Sequence, residues 1–274
     1  MDVNDDRGLN PDGTIRREGS LSRVPTAYAP VVETARARIV EAFDSTRLHS
    51  AYLYGSIPRG TAVPGVSDLD LLLALRTGPT AADEAAARAL EAGLDASFGL
   101  INGVGALLAR ADTLTSELER NDLGFFLACL CTPLLGEDLA AQLPSYRPTP
   151  LLARETNGDL YLALPRWRRR AAEATTDAER RDLSRVAARR IVRSGFTLVM
   201  PRWGGWTSDL AESAEVFARY YPGHPERIGQ MRAAARTART PSADPAVLAV
   251  LIDDLAPWLA AEYLAVHGVK APRP

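Results

Sequence analysis

Asp68 and Asp70 flank Leu69 at the head of an apolar run, and a Gly55-Ser56 pair closes another apolar run, Ala51-Tyr-Leu-Tyr54, a short turn upstream. Side chains alternate faces along a strand, so the two carboxylates point the same way, roughly 7 Å apart along the backbone. From there they can lean together onto one or two hard cations. Mg²⁺ is usually held by one or two carboxylates plus substrate phosphates, and two ions about 4 Å apart clamp the attacking and leaving oxygens of an in-line displacement. Gly55 and Ser56 would face those phosphates, because glycine lets the backbone approach closely and exposed N–H groups with a hydroxyl can hold phosphate oxygens. Either half alone is ordinary: Gly-Ser is a common turn, and Asp-x-Asp is often a solvated strand edge. Here Leu69, Leu71, Leu72, Leu73 and Leu75 mark the strand as buried, and carboxylates on a buried strand are costly without a cation or partner.

The elements that must hold this corner can be read around it. Val31, Val32, Ala35, Ile39, Val40 and Phe43 recur at helical spacing and predict a helix over 30–43 that packs on the sheet. Strands follow at 51–54 and 68–75. Thr80 is placed to cap an alanine-rich helix over 81–97. A third strand is predicted over 103–109; its Gly103-Val-Gly105 has Leu108 where a dinucleotide fingerprint needs its third glycine, and that reading is rejected. Residues 121–135 read as a strongly apolar helix closed by Gly136, and 137–143 as one more short helix. Three prolines in 144–150 read as a linker and set the domain boundary.

The string Gly55-Ser56, Arg59-Gly60 and Ser67-Asp68-Leu69-Asp70-Leu71 resembles the signature of the nucleotidyltransferase superfamily related to DNA polymerase beta. The resemblance covers about 20 residues. It implies that the glycine-serine turn holds a nucleoside triphosphate and that Asp68 and Asp70 hold Mg²⁺, two ions in the two-metal form. It also places Arg59 and Ser67 in the nucleotide-binding set. Beyond the motif, the layout is similar to the bacterial streptomycin/spectinomycin adenylyltransferases: a small mixed-sheet domain with flanking helices, then a helical bundle, an α+β chain. One departure stands out. The resembled superfamily often carries a third carboxylate on the neighbouring strand, where this chain offers Asn102, Gly103 and Gly105. The nearest acids are Asp112, Glu117 and Glu119, past the strand end, and Asp112 is either the third catalytic acid or the cap of the next helix.

Composition bounds the rest. The chain has 274 residues, 46% hydrophobic and 24% charged, with a net charge of −2. That supports one large or two modest domains and gives no general attraction to nucleic acid or membrane. The N-terminal 25 residues are polar, without periodicity, and are expected to be mobile; the acidic Met1–Asp6 start is unlike a signal peptide, no run approaches 18 apolar residues, and a cytoplasmic protein is expected. Cys129 and Cys131 lack a nearby histidine and read as apolar packing. Lys270 is the sole lysine, so phosphate must be met by arginine forks and backbone amides.

The second half reads as entirely helical, over 158–174, 177–199, 208–220, 225–239 and 245–267, with Pro165 and Pro201 breaking the pattern. Ten arginines against four acids fall between 166 and 193. Internal ion pairs such as Asp177 with Arg181 account for about half of them. Arg189 and Arg193, one turn apart, are the pair that the adenylyltransferase resemblance turns toward triphosphate. Trp203 and Trp206 fit either a ligand ring or bundle packing, and the three histidines belong to no metal-spaced cluster.

The preferred activity is Mg²⁺-dependent transfer of AMP from ATP to a hydroxyl of a small molecule, with release of pyrophosphate. An aminoglycoside-type antibiotic is its sharpest form and implies antibiotic resistance, with Glu155, Asp209, Glu212 and Glu215 available for a polycation; the arginine excess argues instead for a neutral or anionic acceptor. Nucleotidylation of a protein or tRNA is the second reading, and a nucleotide-binding protein without turnover is the third.

Overall fold

The computed structural model describes residues 6–273. The chain forms two compact units, Arg16–Tyr146 and Arg147–Pro274, the latter joined by Met1–Ile15. Residues 1–5, part of the stretch expected to be mobile, lie outside the described residues.

The first unit is built on a four-stranded sheet in the order β3-β2-β1-β4. The strands are β1 (Leu48–Tyr54), β2 (Leu69–Leu75), β3 (Val104–Arg110) and β4 (Thr132–Gly136). β1 pairs antiparallel with β2 and β4, while β2 and β3 run parallel, so the sheet is mixed. The β2–β3 crossover carries α3 (Ala81–Ser97), and α1 (Ala29–Ala42) precedes β1.

β2 sets the layers. Leu69, Leu71, Leu73 and Leu75 share a buried core with Val31, Val32, Ala35 and Ile39 of α1 and Ala87, Leu90 and Leu94 of α3. Leu72 and Ala74 face the other way, into a smaller cluster with Tyr52, Leu114, Leu127, Cys131 and Leu139. Burying each leucine is worth roughly 1.5–3 kcal/mol, and period-two alternation decides which residues go where. Thr80 caps α3 as its sequence position predicts: its hydroxyl accepts from the Asp83 amide, and Asp83 bonds back to the Thr80 amide at 2.7 Å. Asp83 also takes Arg47 Nε at 2.7 Å, tying the start of α3 to the entry of β1.

The apolar helix expected over 121–135 covers only the first part of that run. Short α5 (Leu123–Phe125) passes into a π turn, Phe126–Leu130, and then into β4. Cys131 is already extended, and Pro133 stands opposite Tyr52. Proline is tolerated in a strand that pairs on one side only, which is where β4 lies. Of the two buried cysteines, Cys129 therefore lies in the π turn and Cys131 in the passage to the strand. The helix expected over 137–143 is a single 3-10 turn, Leu139–Gln142, whose Leu139 amide donates to the buried Tyr52 hydroxyl at 2.8 Å.

Much of the described N-terminal stretch is fastened. The Glu18 amide donates to Cys129 O, the Ser20 amide to Pro58 O, and Arg17 reaches both Ala128 O and Asp138. In the other unit the Trp206 amide donates to Arg7 O, and Arg7 Nη1 donates to Trp203 O.

The helical unit comprises α6 (Pro150–Asn157), α7 (Leu160–Glu173), α8 (Asp177–Trp203), α9 (Leu210–Tyr220), α10 (Pro225–Arg239), α11 (Pro245–Ala249) and α12 (Ala256–His267), with α4 (Ala111–Leu114) belonging to the sheet unit. α6 begins inside the stretch read as a linker, because Thr149 caps it and Pro150 takes the first helical position, where its missing N–H costs nothing. Pro165 and Pro201, expected as breaks, both lie inside helices. Trp203 and Trp206 are buried edge-on against Phe196, with ring centroids 5.7 and 5.5 Å away, so the indoles pack the bundle.

Candidate functional site

The sheet brings Gly55, Asp68 and Asp70 to one corner. Asp68 immediately precedes β2; within the sheet, Asp70 stands opposite Tyr54 of β1 and Gly105 of β3. Alternation puts both carboxylates on the Leu72 face, away from α1 and α3. Both acids are half-buried, at the margin of a strand whose leucines are fully buried.

Gly55 ends β1 with φ 82° and ψ −153°, a conformation essentially confined to glycine. A Cβ there would collide with Asp70 Oδ2, so backbone strain and the carboxylate both demand glycine. Ser56 then opens the short α2 (Ser56–Arg59). On the β3 side, a Cβ on Gly103 would lie 3.7 Å from Asp68 Oδ1, and one on Gly105 would lie 4.0 Å from Asp70 Oδ1. Asn102 Nδ2 donates to Asp68 Oδ1 at 3.1 Å. Two carboxylates at one strand end, walled by backbone, make a hard-oxygen donor set. Among the described residues no group of three or more His, Cys, Asp and Glu could hold a metal.

Two of the other expected residues hold the loop, and the rest lie on other elements. Ser67 Oγ accepts from the Val63 amide at 2.9 Å, which shapes the turn leading into Asp68. Arg59 Nη1 lies 3.5 Å from Glu18 Oε2. Asp112 sits on α4, past Arg110, with which it forms an ion pair. In the parallel register Arg110 is opposite Leu75, five residues beyond the Asp70–Gly105 pair, so Asp112 is about 16 Å or more along the strand from the corner. The fold does not bring it to the corner of Asp68 and Asp70. Arg189 and Arg193 lie on α8 in the helical unit. On α7 and α8, Arg168 pairs with Asp253, Arg170 with Asp182, Arg180 and Arg181 with Asp177, and Arg190 with Asp159. The four acids suggested for a polycation are engaged inside the helical unit: Asp209 caps α9 and pairs with Arg239, Glu212 accepts from Thr207, Glu215 pairs with Arg232, and Glu155 pairs with Arg154 and Arg273.

Tyr54 is the residue that the sequence reading passed over. It stands opposite Asp70, and its ring packs edge-on against Phe126 at 4.9 Å. Its position two residues after Tyr52 and one before Gly55 was the available signal. The thiols take no part: burial pushes Cys129 up to about 12 and Cys131 well above its usual range.

The fold is mixed α/β, a four-stranded mixed sheet with flanking helices followed by a helical region. No family model and no curated protein matches the chain. Among solved structures it is similar to the spectinomycin adenyltransferase AAD(9) from Enterococcus faecialis, determined with ATP and spectinomycin. The two share 15% identity over 85% of this chain and 98% of that one, with a TM-score of 0.48. No helix among the described residues is long and apolar enough to cross a membrane.

Proposed function

We propose that the chain moves a nucleoside monophosphate, AMP in the preferred form, from a magnesium-bound nucleoside triphosphate to a small-molecule acceptor, releasing pyrophosphate. The observation that carries this reading is the fit of Gly55 against Asp70 beside Asp68, a carboxylate pair whose neighbouring position admits backbone and nothing larger. Mg²⁺ bound to Asp68 and Asp70 would neutralise the triphosphate and the charge that builds as pyrophosphate departs.

The chain's own groups then orient and position. Gly55 and Ser56 keep side-chain bulk away from the phosphates and offer backbone N–H and hydroxyl donors. Asn102 steadies Asp68 through its amide. Ser67, by holding the Val63 amide, fixes the approach of the Asp68 backbone. Arg59 supplies positive charge on the phosphate side while Glu18 limits its sweep. Catalysis of this kind is alignment of the acceptor on the α-phosphorus plus charge stabilisation.

Purified protein incubated with ATP, Mg²⁺ and an acceptor panel is expected to yield an acceptor heavier by AMP, read by mass spectrometry. The Asp68→Asn/Asp70→Asn double variant is expected to lose roughly 1,000-fold in pyrophosphate release with an unchanged melting temperature. Full activity in that variant would remove the assignment.

A further inference from the structure

Helix α2 follows Gly55 directly and has only four residues, too few to hold its place by its own backbone hydrogen bonds. Residues 17–23 clamp it from outside. The Ser20 amide donates to Pro58 O at 3.0 Å, and Glu18 Oε2 lies 3.5 Å from Arg59 Nη1. At the far end of α2, a Cβ on Gly60 would come within 2.9 Å of Arg23 O. The same segment is bound to the approach of β4. The Glu18 amide donates to Cys129 O at 2.9 Å, Arg17 Nε donates to Ala128 O at 2.9 Å, and Arg17 Nη1 pairs with Asp138 at 2.8 Å. Gly19 stands where the two attachments meet. A Cβ there would lie 2.5 Å from Thr132 Oγ1 on β4 and 3.0 Å from Pro58 Cβ on α2. Its φ is not positive, so space rather than backbone conformation demands glycine. Thr132 is buried and β-branched and Pro58 is a buried ring, so neither swings aside.

We propose that residues 17–23 are a positioning element of the nucleotide site, with Gly19 as the positioning residue at its centre. They hold α2 where Ser56 and Arg59 meet the triphosphate, and the inference rests on the nucleotidyl-transfer reading. The hold is of a kind that a ligand can strengthen. Leu21, Ser22 and Arg23 form a single exposed 3-10 turn with no buried residue, so the segment is kept in place by the hydrogen bonds and close contacts at residues 17–20 and at Gly60. Segments fastened in this way open locally at little free-energy cost. A nucleotide that needs the segment closed on α2 tightens that closure in turn, because coupling between two equilibria is reciprocal.

The test follows the full chain by hydrogen exchange and calorimetry. On saturation with MgATP, the amides of a peptide covering 17–23 are expected to exchange roughly tenfold more slowly, while those of the α3 cap, Asp83 and Glu84, exchange as before. Gly19→Ala is expected to weaken MgATP binding roughly tenfold. The double variant Gly19→Ala/Thr132→Ala, which removes the oxygen that the added methyl strikes, is expected to recover most of that loss, a recovery that general destabilisation would not give. MgATP binding with unchanged exchange over 17–23 overturns the proposal, and this measurement on the unaltered chain decides should Gly19→Ala fail to fold. So does unaltered affinity in Gly19→Ala, or no recovery in the double variant. An absence of MgATP binding by the unaltered chain overturns the nucleotidyl-transfer reading, and the proposal with it.

Discussion

Carboxylates are treated in opposite ways at two places in the molecule. In the helical unit several are met by guanidinium groups: Glu155 by Arg154 and Arg273, Asp159 by Arg190, Asp254 by Arg227 at 2.7 Å, and Glu215 by Arg232 at 2.6 Å. At the head of β2, Asp68 and Asp70 are bordered by Gly55, Gly103 and Gly105. The first arrangement sets guanidinium groups against a carboxylate, and the second keeps side-chain bulk off the flank where Gly55, Gly103 and Gly105 stand. A chain with 34 acids thus marks two of them out by the size of their neighbours. Residue type alone could not have made that distinction.

The sharpest way to break the contrast is to fill the preserved space. Gly55→Ala is expected to cut pyrophosphate release by roughly 100-fold and to cost about 1–3 kcal/mol in strain, read by turnover and denaturant midpoint. Equal activity in Gly55→Ala would mean the corner has room to spare. The converse change, emptying a filled site, should act on stability. Glu155→Ala takes a buried carboxylate away from Arg154 and from the Arg273 guanidinium 3.3 Å away, and is expected to cost about 2–4 kcal/mol.

Asp83 sharpens the comparison through pH. Hydrogen bonds from Arg47 hold its carboxyl far below the usual carboxylate range. A depressed folded-state value means stability present above the unfolded value, about pH 4, and lost as pH falls through the folded one. Asp83→Asn is therefore expected to lower the melting temperature by roughly 2–4 °C at pH 7, with the deficit shrinking below pH 4. The smallest effect belongs to the exposed Arg168–Asp253 pair, at 2.9 Å: Arg168→Ala should change stability by less than about 0.5 kcal/mol. A large effect there would show that surface pairs also carry the helical unit.

The corner and the elements on either side of it were legible because their signals are local. Thr80 with Asp83, the alternating leucines of β2 and the helical spacing before β1 each announce one element and agree with the fold. β4 was not legible. Its Thr132-Pro-Leu-Leu-Gly136 follows a run that is apolar all round, and only pairing with β1 makes it a strand. Pro150, Pro165 and Pro201 misled for a related reason: proline stops a helix by its lost N–H and its ring, and at the first position or within a long packed helix other contacts absorb that loss. Asp112 failed by register, since nothing in the sequence says at which end of a parallel pair a trailing residue will emerge.

The pairing of β1 with β2 has a last implication. Slide β2 by a single residue and Asp68 and Asp70 would plunge into the leucine layer beneath α1 and α3, while Leu69 and Leu71 would surface in their place. The greasy side of the strand therefore aims the acidic side, and a lesion deep under the helices would misdirect the proposed chemistry without touching it.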